Sequence, residues 1–135
     1  MKSLVVEDDF ISRTMLQEIL APYGTCHVAA NGQECLAAFS QALSKKEPYD
    51  LICLDIMMPE MDGQTALMQL REMEQTNGIG GSDLANVIMV TALSDATNIM
   101  HSFMKGTCQA YLTKPIDPEK LLTHCRKLGL IEENS

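Results

Sequence analysis

The sequence predicts an α/β fold: a doubly wound five-stranded parallel sheet with helices on both faces. Three observations carry the prediction. Five strand-length apolar runs, at residues 3–6, 25–30, 51–54, 87–90 and 109–112, alternate with stretches of helical periodicity. The runs at 51–54 and 87–90 are continuously apolar, as expected of parallel strands buried on both faces. Strand and helix follow one another in regular βα units, which requires a parallel sheet covered by its crossover helices.

The first run, Ser3-Leu4-Val5-Val6, is cut off by Glu7-Asp8-Asp9. Residues 10–21 then read as a helix, with Ile11, Met15 and Ile19, and also Leu16 and Leu20, recurring at intervals of four. Pro22 and Gly24 end it. The second run is more polar, which suits a strand near the sheet edge, and Asn31-Gly32 turns the chain. Residues 34–43 form a helix carrying Leu36, Phe39 and Leu43. The third strand delivers Asp55 at its carboxyl end. A loop, Met57 to Gly63, leads into a helix over about 64–73. The fourth strand delivers Thr91, a helix is predicted over 95–105, and the fifth strand delivers Thr113-Lys114-Pro115. Asp117 caps the last helix, with Pro118 at its first position, and that helix runs to about Leu128. One domain, residues 1–130, and a short tail, 131–135, are expected. The connection at 74–85 is long and glycine-rich. Its Gly78-x-Gly80 spacing follows a helix, not a strand, so it lacks the geometry of a phosphate cradle and reads as a surface loop.

Composition narrows the function. Ten Lys and Arg are outnumbered by 18 Asp and Glu, for a net charge of -8. A surface of that sign repels a phosphate backbone, so nucleic acid is not expected as a direct partner. The cysteines, Cys26, Cys35, Cys53, Cys108 and Cys125, are odd in number and lack C-x-x-C spacing, which argues against a zinc ribbon or disulfide framework and for small apolar residues. No signal-peptide core and no apolar run of the ~20 residues that span a bilayer is present. A soluble, cytoplasmic protein without membrane insertion is expected.

In open parallel sheets function gathers at the carboxyl ends of the strands. Those ends hold Asp8 and Asp9, Asp55, Thr91 and Lys114. Three carboxylates brought together repel one another unless a cation lies between them, and hard oxygen ligands suit Mg²⁺, with Mn²⁺ as a substitute. An ammonium and a hydroxyl nearby are donors for a phosphoryl group. Each piece alone has a plainer explanation; an Asp-Asp pair, for instance, is as readily a solvated turn or a helix cap. Agreement among four strand ends is what points to phosphoryl transfer onto a carboxylate.

These residues sit in longer motifs. Leu4-Val5-Val6 with Asp8-Asp9, Asp55-Ile56-Met57-Met58-Pro59-Glu60-Met61-Asp62-Gly63, Val90-Thr91-Ala92 and Tyr111-Leu112-Thr113-Lys114-Pro115 together resemble bacterial two-component response-regulator receiver domains of the single-domain, chemotaxis-regulator-like kind. The resemblance covers about residues 2–128. It implies strand order 2-1-3-4-5 in a flavodoxin-like fold. It implies Asp55 as phosphoacceptor, Asp8 and Asp9 as the acidic pair holding Mg²⁺ with Asp55, and the Met57 backbone carbonyl as a further ligand. By the same resemblance Thr91 is the switch hydroxyl, Ala92 leaves room for it, and Lys114 pairs with a phosphoryl oxygen. Pro115 follows a position that is commonly cis, Tyr111 is the aromatic residue that tracks the switch, and Pro59 and Gly63 shape the loop. Met57 and Leu93 stand where receivers tune phosphoryl lifetime, and neither can orient a water, so a slow decay is expected. The chain departs from the family pattern at Thr107-Cys108-Gln109-Ala110, where an alanine after the glycine and an acidic residue are more typical.

The expected partner is a histidine kinase or histidine phosphotransfer protein. The downstream protein target is unnamed, and the chain is expected to be a monomer or a weak phosphorylation-dependent dimer. The output face is expected around Met100, Met104 and Tyr111. The start at Met1 directly before the first strand favours a stand-alone receiver over a fragment. Two other readings fit less well. An aspartyl-phosphate phosphohydrolase would want an acid two residues after the nucleophile, where Met57 stands. A flavodoxin-like carrier would want a Ser/Thr/Gly-rich first loop, where Glu7-Asp8-Asp9-Phe10 stands. The expectation is therefore a self-phosphorylating acceptor and not an enzyme turning over a separate substrate.

Overall fold

A computed structural model describes residues 1–92 and 107–133. Five parallel strands, β1 (Ser3–Val6), β2 (Cys26–Ala29), β3 (Leu51–Asp55), β4 (Asn86–Ala92) and β5 (Ala110–Lys114), form one sheet in the order β2-β1-β3-β4-β5. The four helices among the described residues are α1 (Phe10–Leu20), α2 (Gly32–Ser44), α3 (Gly63–Thr76) and α4 (Pro118–Lys127). The helix predicted over 95–105, with Met100 and Met104, lies outside the described residues, as does Leu93.

The helices begin where side chains satisfy the orphan amides of their first turns. Asp9, Asn31 and Asp62 accept from the amides of Ser12, Glu34 and Thr65, each at 2.8 Å. Asp117 accepts from the amide of Glu119 at 3.0 Å, with Pro118 at the first helical position. Two apolar layers flank the sheet. Phe39 of α2 and Leu67 and Leu70 of α3 pack on one face with Leu4, Ile52 and Met89. Leu16 and Leu20 of α1 and Leu121 and Cys125 of α4 pack on the other with Val5, Cys53, Ile88 and Val90. Each fully buried leucine contributes roughly 1.5–3 kcal/mol. Every residue of β1 and β3 is buried, whereas the edge strand β2 exposes His27 and Val28, as its polarity foretold.

Some boundaries differ from those read in the sequence. Helix α2 starts two residues early, because Asn31 and not a later residue caps it. Strand β4 extends through Thr91 and Ala92, and β5 through Lys114, because both remain paired there. In α1 the two apolar stripes pack unequally: Leu16 and Leu20 are buried, whereas in the other stripe Ile19 packs half-buried against the core, Ile11 is 71% exposed and Met15 40%. Cys35, Cys53 and Cys125 are buried and Cys26 and Cys108 half-buried, in line with their reading as apolar residues. The glycine-rich connection leaves α3 through Gly78 at φ 72° and makes a short turn at Gly81–Asp83 before β4; nothing crowds these glycines.

Candidate functional site

Parallel pairing sets the carboxyl ends of β1, β3, β4 and β5 side by side. Val6 lies opposite Leu54, Asp55 opposite Val90, and Ala92 opposite Lys114. Asp55 closes β3 and is 2% exposed. Its Oδ1 accepts from the Met57 amide at 3.3 Å and its Oδ2 lies 3.5 Å from Lys114 Nζ. Lys114 also donates to Glu7 Oε1 at 3.1 Å. One ammonium therefore joins three strands at a single point.

Glu7 is the residue that sequence reasoning missed. Its amide still pairs with the Ala29 carbonyl at 3.0 Å, so it prolongs β1 by one residue and turns its side chain inward, fully buried. Glu7, Asp8 and Asp55 each offer a carboxylate oxygen, all within 4.8 Å of one another. Asp9, predicted as a metal ligand, is not in this cluster. Its carboxylate is committed to the Ser12 amide as the cap of α1, a contact that lowers its pKa. The acidic group is thus Glu7 and Asp8 with Asp55, one position earlier than the Asp8-Asp9 pair read from the sequence.

Burial, reinforced by Asp55, pushes the Glu7 carboxyl up to about 7, and burial also raises Asp55. Burial alone would depress Lys114, but its contacts with Glu7 and Asp55 outweigh that and hold it above its ordinary value. Glu7 Oε2, 3.1 Å from the Lys114 ammonium, is buried without a hydrogen-bond partner. A buried carboxylate oxygen that this ion pair satisfies only in part, beside two further carboxylates, suits a hard divalent cation. Asp8 is exposed, which leaves room for the waters that Mg²⁺ retains.

Most of the remaining predicted residues stand at the same strand ends or in the loops that follow them. Thr91 is buried at the end of β4, its hydroxyl 3.4 Å from the Ala92 carbonyl, and Ala92 follows it, half-buried. The Lys114–Pro115 peptide is cis. Met57 stands 57% exposed above the site, and Tyr111 is 49% exposed on β5. Gly63 donates to the Ile56 carbonyl at 2.8 Å, and a Cβ there would collide with the Asp55 carbonyl. Pro59 and Glu60, the latter at φ 69°, form the turn between them.

The comparisons agree with this fold. The model of the response regulator receiver domain matches residues 3–126. The chain belongs to that family, the receiver domains of two-component systems, which are signalling acceptors. Its curated relatives include the transcriptional regulatory protein SrrA of Staphylococcus aureus, 32% identical over 126 residues, which are 93% of this chain and 46% of that protein. The chain thus spans about half the length of the curated relatives it matches. Among solved structures, the chemotaxis protein CheY4 of Vibrio cholerae is 26% identical with TM-score 0.74, over 94% of this chain and 97% of that one. The receiver domain of the histidine kinase CKI1 of Arabidopsis thaliana, complexed with Mg²⁺, is 26% identical with TM-score 0.80, over 94% and 90%. The response regulator TrrA of Thermotoga maritima, in complex with Mg²⁺ and a beryllium fluoride, is 26% identical with TM-score 0.74, over 94% and 97%. Among the described residues no helix is long and apolar enough to cross a membrane.

Proposed function

We propose that this receiver takes a phosphoryl group from the phosphohistidine of a histidine kinase or phosphotransfer protein onto an Asp55 oxygen. The phosphorus–nitrogen bond breaks as the phosphorus–oxygen bond to Asp55 forms. The observation that carries this reading is the single cluster in which Glu7, Asp8 and Asp55 meet Lys114. Glu7, Asp8 and Asp55, with the Met57 carbonyl, would hold Mg²⁺ or Mn²⁺, which supplies neutralisation of the charge that gathers in transfer. Lys114 stands where its ammonium offsets a phosphoryl oxygen, and the Thr91 hydroxyl is a second donor. Such transfer needs positioning and charge compensation more than acid–base chemistry, which is what these groups offer.

In this reading the phosphorylated state acts through a protein partner. Pro59 and Gly63 support the acceptor's backbone, Ala92 leaves space beside Thr91, Pro115 shapes the chain after Lys114, and exposed Tyr111 belongs to the output face. Met57 cannot hold a water in line with the phosphorus, which favours a slow intrinsic decay; Leu93, assigned the same role, lies outside the described residues. Leu128, Leu130 and Ile131 pack half-buried against the core, which supports a domain reaching to about residue 130. We assign the protein to the cytoplasm, where such donors reside, as an acceptor and not a turnover enzyme.

The test is phosphorylation by acetyl phosphate, followed by intact mass. Wild type gains one phosphoryl group in Mg²⁺ and none in chelator, and Asp55→Asn gains none. Undiminished labelling of Asp55→Asn would overturn the assignment.

A further inference from the structure

Lys114 meets Glu7 and Asp55 only if β5 lies on β4 at one register. The side chains of β5 specify that register weakly. It is an edge strand, paired only to β4, and of its five residues only Leu112 is buried. A slip of two residues would keep the same side chains on the same face, yet carry Lys114 about 7 Å along the sheet.

The start of β5 is held by other means. Gln109 donates its amide to the Val87 carbonyl at 2.9 Å, and its Oε1 accepts from the Val87 amide at 2.6 Å. One residue thus engages both backbone groups of Val87 and prolongs the ladder one rung before the strand begins. Arg71 of α3 donates Nη2 to the same Gln109 oxygen at 3.3 Å and Nε to the Thr107 carbonyl at 3.0 Å. Its Nη1 reaches Glu74 Oε1 at 2.7 Å and the Ala85 carbonyl at 2.9 Å. Glu74 is 1% exposed, and its other oxygen accepts from the Ala85 amide at 2.8 Å. The guanidinium is therefore fixed by a buried carboxylate before it grips the entry to β5. Gln109 and Thr107 belong to the stretch in which the chain departs from the family pattern.

We propose that Gln109, clamped by Arg71 and Glu74, is a positioning residue for Lys114: it pins β5 at the register that brings the ammonium to Asp55. The inference rests on the phosphoacceptor reading above. Among the described residues the contacts of Gln109 run to Val87 and Arg71 and not to the site, so it acts through the strand that follows it.

The test is a double-mutant cycle on beryllofluoride binding in Mg²⁺, read by titration calorimetry. Gln109 is exposed, so Gln109→Ala is expected to fold. It weakens beryllofluoride binding roughly threefold or more, as the competent register becomes a fraction of the population. Mg²⁺ affinity without fluoride does not fall, because the carboxylates stand on β1 and β3. In a Lys114→Ala background Gln109→Ala has no further effect, and Gln109→Glu, which keeps an acceptor oxygen, binds as wild type does. Equal losses in both backgrounds, or a lowered melting temperature with unchanged beryllofluoride binding, would mark a merely structural role and overturn the proposal. A wild type that binds no beryllofluoride would overturn the acceptor reading, and this inference with it.

Discussion

A carboxyl group removed from water keeps its proton more tightly, and Glu7 is buried beside a second acid. Its folded pKa of about 7 lies above the ordinary 4.5. Between those values the folded state binds more protons than the unfolded one, so the stability of metal-free protein falls as pH rises from 4.5 to 7. The raised Asp55 adds to the loss, with the same sign. Urea unfolding in chelator is therefore expected to show a higher midpoint at pH 5 than at pH 7.5. Glu7→Gln flattens that dependence, and Mg²⁺ restores the wild type at pH 7.5. The neighbouring acids divide their tasks. Asp8→Ala is expected to weaken Mg²⁺ binding roughly tenfold, about 1.4 kcal/mol, whereas Asp9→Ala lowers the melting temperature and leaves Mg²⁺ affinity intact; calorimetry and thermal unfolding separate the two. Three consecutive acids hid this division in the sequence. The signals that resolve it are local: Asp9 stands three residues before Ser12, at helix-cap spacing, and Glu7 continues the pairing of β1 with β2.

Helix α1 shows what periodicity can and cannot tell. Two stripes, Ile11-Met15-Ile19 and Leu16-Leu20, carry the same spacing, and spacing alone does not say which one faces the sheet. The cap decides: once Asp9 fixes the first turn, Leu16 and Leu20 fall against Val5 and Cys53, and Ile11 is left in solvent. Leu16→Ala is expected to cost about 2–5 kcal/mol in chemical denaturation, and Ile11→Ala to stay within about 0.5 kcal/mol. The reverse ranking would mean that α1 is rotated on the sheet. The elements themselves were legible throughout the described chain, because buried parallel strands are continuous apolar runs and each helix bears a cap. The ends of β4 and β5 were not. Thr91, Thr113 and Lys114 look like loop residues by polarity, and only pairing with a neighbouring strand keeps them and Ala92 extended.

At the scale of the whole molecule, the order of the strands came from the family resemblance and not from any property of the runs, since five βα units permit several parallel orders. The observed order places β5 three strands away from β1, with β3 and β4 between them. Lys114 nevertheless reaches Glu7, just past β1, as well as Asp55 on β3. The edge of the sheet is thus tied to its centre by one ammonium shared between two carboxylates. Under the proposed function, phosphorylation would change what that ammonium faces, because a phosphoryl group on Asp55 brings more negative charge than the carboxylate alone. A ligand shifts an equilibrium only by its differential contacts with the two states, and in the proposed reading Lys114 is the contact that would carry the change to β5. Beryllofluoride in Mg²⁺ is therefore expected to slow hydrogen exchange of the amides from Ala110 to Thr113 in wild type. In Lys114→Ala it leaves them near their free rates at equal occupancy, while the melting temperature at pH 5, where Glu7 is mostly protonated, changes little. Equal slowing in the variant at matched occupancy would show that the edge strand responds by a route that does not pass through Lys114.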